Sequence, residues 1–206
     1  MIELLRRRLD GTHHIDEWGL DPDLIELVAP LVGLRWTVDV GSTGRIPATG
    51  PAVLVYNRAV GASEPIVLAR GVHQATERHV RTAGLVDLSP MATIGRALGA
   101  VVDRRDELAG LLRGGALVGL PLGRDLRPAR AGPLAPEALA PALSTDAPVI
   151  PVAVVGREVG RRWRLLVGPP IPSPSGHGPL AVADLVDAAR AGVQALLDQS
   201  GPRRWF

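Results

Sequence analysis

Apolar residues in this chain fall into short blocks that switch between two periods. Trp36, Val38 and Val40 alternate with Thr37 and Asp39, the period of two that predicts a strand with one buried face. Ala52 to Tyr56 is a continuous apolar run, which suits a central strand of a parallel sheet, and Ala116 to Leu122 and Val149 to Val155 are predicted strands. Further strands are predicted over Arg78–Thr82, Ala100–Asp103 and Trp163–Val167. Helices are predicted over Pro65–Gln74, from the Ser89-Pro90 cap to Leu98, over Asp106–Arg113 with Gly114 and Gly115 as the stop, and over Leu134–Leu143 despite Pro136 and Pro141. The spacing of Val182, Leu185, Val186, Ala189, Val193, Leu196 and Leu197 marks a long terminal helix. Near the start, Asp21 and Pro22 supply a cap and a first-turn proline for a helix through Leu24, Ile25, Leu27 and Val28. Pro30 is expected to kink or end it.

Strands alternating with helices predict an α/β fold, a single domain with a mostly parallel sheet flanked by helices. Residues 1–35 read as an N-terminal helical segment and 36–206 as the α/β body, one structural domain overall. A length of 206 residues with 46% hydrophobic and 21% charged content is enough to bury a core, so disorder is not expected. There is no internal repeat, and Ile171 to Pro179 is a Pro, Ser and Gly-rich loop before the last helix.

Composition narrows the chemistry by exclusion. No Cys is present, which removes disulfides, thiolate metal sites and a Cys nucleophile. His13-His14 with Asp16 and Glu17 is a local polar cluster without a spaced ligand set, so no metal and no cofactor is implied. All 23 basic residues are Arg, yet the net charge is only +2, which gives no basis for a nucleic-acid partner. The apolar runs are broken by Pro or Gly and fall well short of the ~20 residues a spanning helix needs. Met1 to Leu9 has no secretory apolar core, so a cytoplasmic location is expected. That segment sets Ile2, Leu4, Leu5 and Leu9 around Arg6 to Arg8. It admits two readings: a peripheral contact with the anionic inner face of a membrane, or a basic terminus with no partner. Arg161, Arg162 and Arg164 around Trp163 make a second basic spot, expected on the exposed face of a strand.

The chemistry-bearing segment is Asn57-Arg-Ala-Val-Gly-Ala-Ser-Glu-Pro65, directly after the Ala52 to Tyr56 run. Before that run lies a turn-rich stretch, Gly44 to Pro51. After it come Gly99-Ala-Val-Val-Asp-Arg104, Leu120-Pro-Leu-Gly-Arg124 and Ala147-Pro-Val-Ile-Pro-Val152. In this order, over roughly residues 36 to 172, the blocks resemble the glycerolipid acyltransferase family related to lysophosphatidate acyltransferase. The first block of that family reads Asn-His, four variable residues, then Asp-Pro, and the third reads Phe-Pro-Glu-Gly-Thr-Arg.

In the family the His takes a proton from the acceptor hydroxyl, the Asp supports that His, and the freed oxygen attacks an acyl thioester. Here Arg58 stands at the His position, Ser63 at the Asp position and Leu122 at the Glu position. A guanidinium with a pKa above ~12 has no lone pair with which to accept a proton. None of the five histidines (His13, His14, His73, His79, His177) is followed, after four intervening residues, by an acid, so the motif has not moved. The resemblance therefore implies a degenerate member with no catalytic residue assignable. It also implies a ligand-binding cleft using Asn57, Arg58, Arg104, Gly123 and Arg124, and acyl-CoA or a phospholipid as the partner.

Several residues keep two readings. Arg58 is either an anion clamp at a helix start or a solvated arginine. Glu64 is a candidate substitute base, or a first-turn acid favoured by the helix dipole. Ser63 reads as a helix cap, since the surrounding residues lack the final Gly of a nucleophile elbow. His73 and His79 read as structural. Three functions follow: a non-catalytic binder of acyl-CoA or (lyso)phospholipid that partners an active acyltransferase or itself; an active acyltransferase, fed by acyl-CoA or acyl carrier protein, with a non-standard base; or a protein-interaction scaffold with a closed pocket.

Overall fold

The computed structural model describes residue 10 and residues 14–59, 61–85, 91–125, 129–176 and 178–201. The Met1 to Leu9 segment, the Ser89-Pro90 cap, His13 and His177 lie outside the described residues. The strands are β1 Thr37–Gly41, β2 Ala52–Arg58, β3 Val80–Ala83, β4 Ala100–Val101, β5 Leu117–Arg124, β6 Val149–Gly156 and β7 Arg162–Val167. The helices are α1 Pro22–Arg35, α2 Ser63–Thr76, α3 Met91–Ala97, α4 Arg105–Arg113, α5 Ala140–Ser144 and α6 Pro179–Gln199.

All seven strands join one sheet in the order β1-β7-β6-β2-β5-β3-β4. The run β6-β2-β5-β3-β4 is parallel throughout, while β7 pairs antiparallel with β6 and carries β1 parallel to itself at the edge. The predicted α/β class with a mostly parallel sheet is the observed one.

Burial follows the strand period. On β2, Val53 and Val55 enter one core with Val118, Leu120 and Leu122 of β5, beneath α4 and α6. Ala52, Leu54 and Tyr56 enter the other, where Val67, Leu68 and Val72 of α2 cover the sheet. This is why β2 opens as an unbroken apolar run and why β5 and β6 show no polar alternation: both faces are covered. The β1 strand has helix over less of its surface and keeps the alternation, with Val38 and Val40 only half-buried.

Glycines set how closely α2 approaches. A Cβ on Gly71 would lie 2.2 Å from Leu165 Cδ1, and one on Gly119 would lie 3.0 Å from Leu68 Cδ2. Larger residues at either position would lift the helix that begins at the candidate loop.

Two predicted helices are corrected. The first does not end at Pro30 but runs to Arg35. Gly33 leaves room for the Arg70 guanidinium, which donates to the Ala29 carbonyl at 3.2 Å and ties this helix to α2 beside the proline. The predicted Leu134–Leu143 helix shrinks to Ala140–Ser144. Its first half is drawn alongside β5, where Gly123 N donates to Pro133 O at 2.6 Å, and continues as turns through Ala135 to Ala140. Pro136 cannot supply the helical donor that would oppose this.

Candidate functional site

The end of β2 carries the candidate loop. Main-chain register between β2 and β6 stops at Tyr56 and Val152. Asn57 then continues the pairing with its side chain: Nδ2 donates to Val154 O at 3.0 Å and Oδ1 accepts from Val154 N at 2.7 Å. Read from the sequence as a ligand contact, Asn57 is buried and has both amide atoms committed to β6. It positions the loop.

Glu64 closes the loop from the far side, accepting from Ala59 N at 3.1 Å through Oε1. Its Oε2 is buried with no hydrogen-bond partner among the described residues. Ser63 is not the expected cap. It is the first helical residue, and Ala62 precedes it with no side-chain cap. The Ser63 hydroxyl donates instead to Glu158 Oε1 at 2.7 Å. Beside these groups the Tyr56 phenol is held well above its usual range, chiefly by burial, with Arg58 pulling it down and Glu64 pushing it up.

Arg58 lies opposite Arg124. The register of β2 and β5 runs evenly to Tyr56 and Pro121, then shifts so that the next pair is Arg58 with Arg124. Arg58 is half-buried, its Nε without a hydrogen-bond partner among the described residues, while Arg124 is exposed. The two strands send the chain in opposite directions: after β2 it enters α2 on one face of the sheet, and after β5 it leads to α5 on the other. Adjacent parallel strands that diverge in this way open a crevice at their carboxyl ends, the usual ligand position of open α/β sheets.

The remaining predicted residues lie at different distances from these two strand ends, with different roles. Gly123 N is taken by Pro133 O, and a Cβ there would lie 2.9 Å from Pro133 Cγ, so Gly123 serves a close backbone approach. Leu122, at the Glu position of the third block, is 1% exposed in the core. Arg104 precedes α4 beyond β4, at the same edge of the sheet but three strands from β2, a lateral distance of about 14 Å.

His73 and His79 stack with ring centroids 4.8 Å apart and planes inclined by 9°. His73 sits in the last turn of α2, so about 15 Å of helix separates it from Ser63. Burial, reinforced by His73 and opposed by Glu26, holds His79 below the ordinary imidazole pKa. His14 is exposed. Of the described histidines, His73 and His79 therefore sit at the wrong end of α2 to act at the loop.

No family model matches the chain, and no curated protein matches it by sequence. Among solved structures it is similar to the 1-acyl-sn-glycerophosphate (LPA) acyltransferase, PlsC, from Thermotoga maritima. The TM-score is 0.58 and the identity 16%, over 86% of this chain and 81% of that one. The chain has the glycerolipid acyltransferase fold. Within that fold the β2 loop, the β5 end and the start of α2 form one edge of the sheet, as the order of the sequence blocks implies.

Two polar residues of this acyltransferase-like fold carry no signal in the sequence reading. Glu158 belongs to the tight β6–β7 turn, outside every block, and reaches the loop only because β7 returns antiparallel beside β6. Arg81 is 6% exposed on β3 and pairs with Asp16, whose carboxylate also accepts from Trp18 N and Leu20 N. Burial pushes the Arg81 guanidinium down to about 10. The cluster of His13, His14, Asp16 and Glu17 thus includes an acid that pins the N-terminal segment to the sheet, and no group of metal-ligating side chains occurs among the described residues.

Proposed function

We propose that this protein binds a ligand with an acyl chain and a phosphate-bearing head, acyl-CoA or a (lyso)phospholipid, at the β2–β5 crevice without transferring the chain. One observation carries the reading: where an imidazole and its supporting carboxylate would act, the crevice has Arg58 and Ser63, and Ser63 is engaged by Glu158. The Arg58 guanidinium suits an anion and has no lone pair with which to deprotonate an alcohol. The similarity to a protein described as a 1-acyl-sn-glycerophosphate acyltransferase supports the ligand class.

A surface contact with lipid fits the same reading. The α1 helix has no buried residue, and Leu31 and Leu34 are 66% and 69% exposed. Among the described residues no helix is long and apolar enough to cross a membrane. A peripheral position on the inner face, with a second copy or an active acyltransferase as partner, is the cellular setting we propose.

The test is native mass spectrometry of the purified protein, followed by a transfer assay from acyl-CoA to lysophosphatidate. Bound lipid or acyl-CoA without turnover is the expected result, and sustained transfer would refute it. The unpaired, buried Oε2 of Glu64 favours a second reading, an active enzyme using that carboxylate as base. Transfer that disappears in Glu64→Gln while the fold persists would establish it.

A further inference from the structure

The β6–β7 turn lies over the candidate loop, and its contacts are specific. Glu158 Oε1 accepts from the Ser63 hydroxyl at 2.7 Å, and Ser63 is 2% exposed. The Glu158 carboxylate also fills the space beside Gly61, where an added Cβ would fall 1.9 Å from Oε2. The turn is tied at its base to the last turn of α1: Arg35 donates to Glu158 O at 2.6 Å and to Gly160 O at 2.8 Å, and Arg161 donates to Leu34 O at 2.8 Å. Its outer residues are free of the core, with Val159 80% exposed.

We infer that Glu158 is a displaceable latch, an internal anion held at the start of α2 that a phosphate-headed ligand must expel. The inference rests on the proposed binding of such a ligand at the β2–β5 crevice. The start of a 14-residue helix favours negative charge, and Arg58 and Arg124 add cationic groups at the neighbouring strand ends. In the unliganded protein Glu64, fixed in the first turn, and Glu158, brought in by the β6–β7 turn, supply that charge. A phosphate entering while Glu158 stayed would add a third anion beside Glu158 and Glu64, so binding is an exchange of the displaceable one, Glu158, for the ligand. Because the turn is exposed, swinging it out uncovers little apolar surface. Because Arg35 and Arg161 join it to α1, the helix with the exposed leucines, displacement of α1 and release of Glu158 are mechanically linked.

The experiment measures the affinity of monomeric short-chain lysophosphatidate by calorimetric titration, with inorganic pyrophosphate as a head-only probe. Glu158→Ala removes the internal anion and is expected to tighten lysophosphatidate binding about tenfold. Gly61→Ala leaves every charge in place and pushes the Glu158 carboxylate aside, and it is expected to move affinity in the same direction. Arg35→Ala loosens the turn and gives a smaller gain. Thermal melts establish that each variant is folded; if Gly61→Ala is not, Glu158→Ala and Arg35→Ala carry the test. Should wild type bind and Glu158→Ala bind no more tightly, the latch is overturned while the binding reading stands. Tightening in Glu158→Ala but not in a folded Gly61→Ala also overturns it, since only a general charge effect would remain. If neither wild type nor Glu158→Ala binds either probe, both readings fail together.

Discussion

Arg58 at the end of β2 stands opposite Arg124 at the end of β5, one step beyond a register shift that brings the two cations side by side. Like charges at adjacent sheet positions repel, a cost of about 0.2–1 kcal/mol that an anion between them would reverse. Arg124→Ala is therefore expected to leave the unliganded protein as stable as wild type, or more stable by about 0.5 kcal/mol, while weakening lysophosphatidate binding about tenfold. Chemical denaturation and titration on the same samples check both halves. A variant that loses stability and keeps its affinity would remove Arg124 from the proposed site.

Asn57 predicts a contribution to stability through bonds inside the sheet. Its two hydrogen bonds satisfy both main-chain groups of Val154 inside the sheet. Asn57→Ala would leave a buried N–H and a buried C=O unpaired, at an expected cost of about 2–4 kcal/mol in urea unfolding. Asn57→Asp keeps an acceptor for Val154 N but sets a buried carboxylate against Val154 O, so it should cost at least as much as Asn57→Ala.

The Asp16–Arg81 pair predicts strong coupling. Arg81 is buried on β3, and removing Asp16 strands its charge. Asp16→Asn should cost about 2–4 kcal/mol, whereas the double variant with Arg81→Met should recover most of that loss. A double-mutant cycle by thermal unfolding measures the coupling, and additive losses would show that the pair contributes little.

The stacked histidines give a pH dependence whose sign is set by His79. Its folded pKa lies below the unfolded value of 6.5, so the unfolded chain binds more protons in the window beneath 6.5. Stability from this group is present above that value and lost as pH falls through the window. Melting temperature should drop between about pH 7 and 5, and His79→Gln should flatten that part of the profile. His73, stacked on it, and Glu26, which raises its pKa, are the neighbours to hold constant.

Restoring the family residues should not restore transfer. Arg58→His with Ser63→Asp would set a new carboxylate where Ser63 now meets Glu158. Adding Leu122→Glu would place an acid at a position 1% exposed in the core, with an expected loss of about 3 kcal/mol or more. The double variant is expected to fold and show no transfer from acyl-CoA, and the triple variant to unfold at lower denaturant. Turnover by the double variant would mean that the crevice still aligns both substrates.

Much of the architecture was legible in local pattern. The unbroken run at Ala52 to Tyr56 and the predicted strand at Val149 to Val155 are doubly covered strands, because burial on both faces leaves no polar position to alternate. Where a tertiary partner competed with a local preference, local reading failed. Arg70 ties α1 to α2 beside Pro30, and β5 holds Pro133, the residue just before the predicted helix.

By itself the sequence determined that a buried strand ends in Asn57-Arg58 and that neither an imidazole nor its acid stands in this loop, since both are matters of residue identity and period. Only the tertiary structure decided what those residues do. Asn57 turned inward to Val154, Arg58 met Arg124, and Glu158 came to rest on Ser63 from 95 residues away. Such pairings depend on strand order and on where a reversed strand turns. Composition and spacing carry no trace of either, because the free energy that selects them comes from packing between segments far apart along the chain.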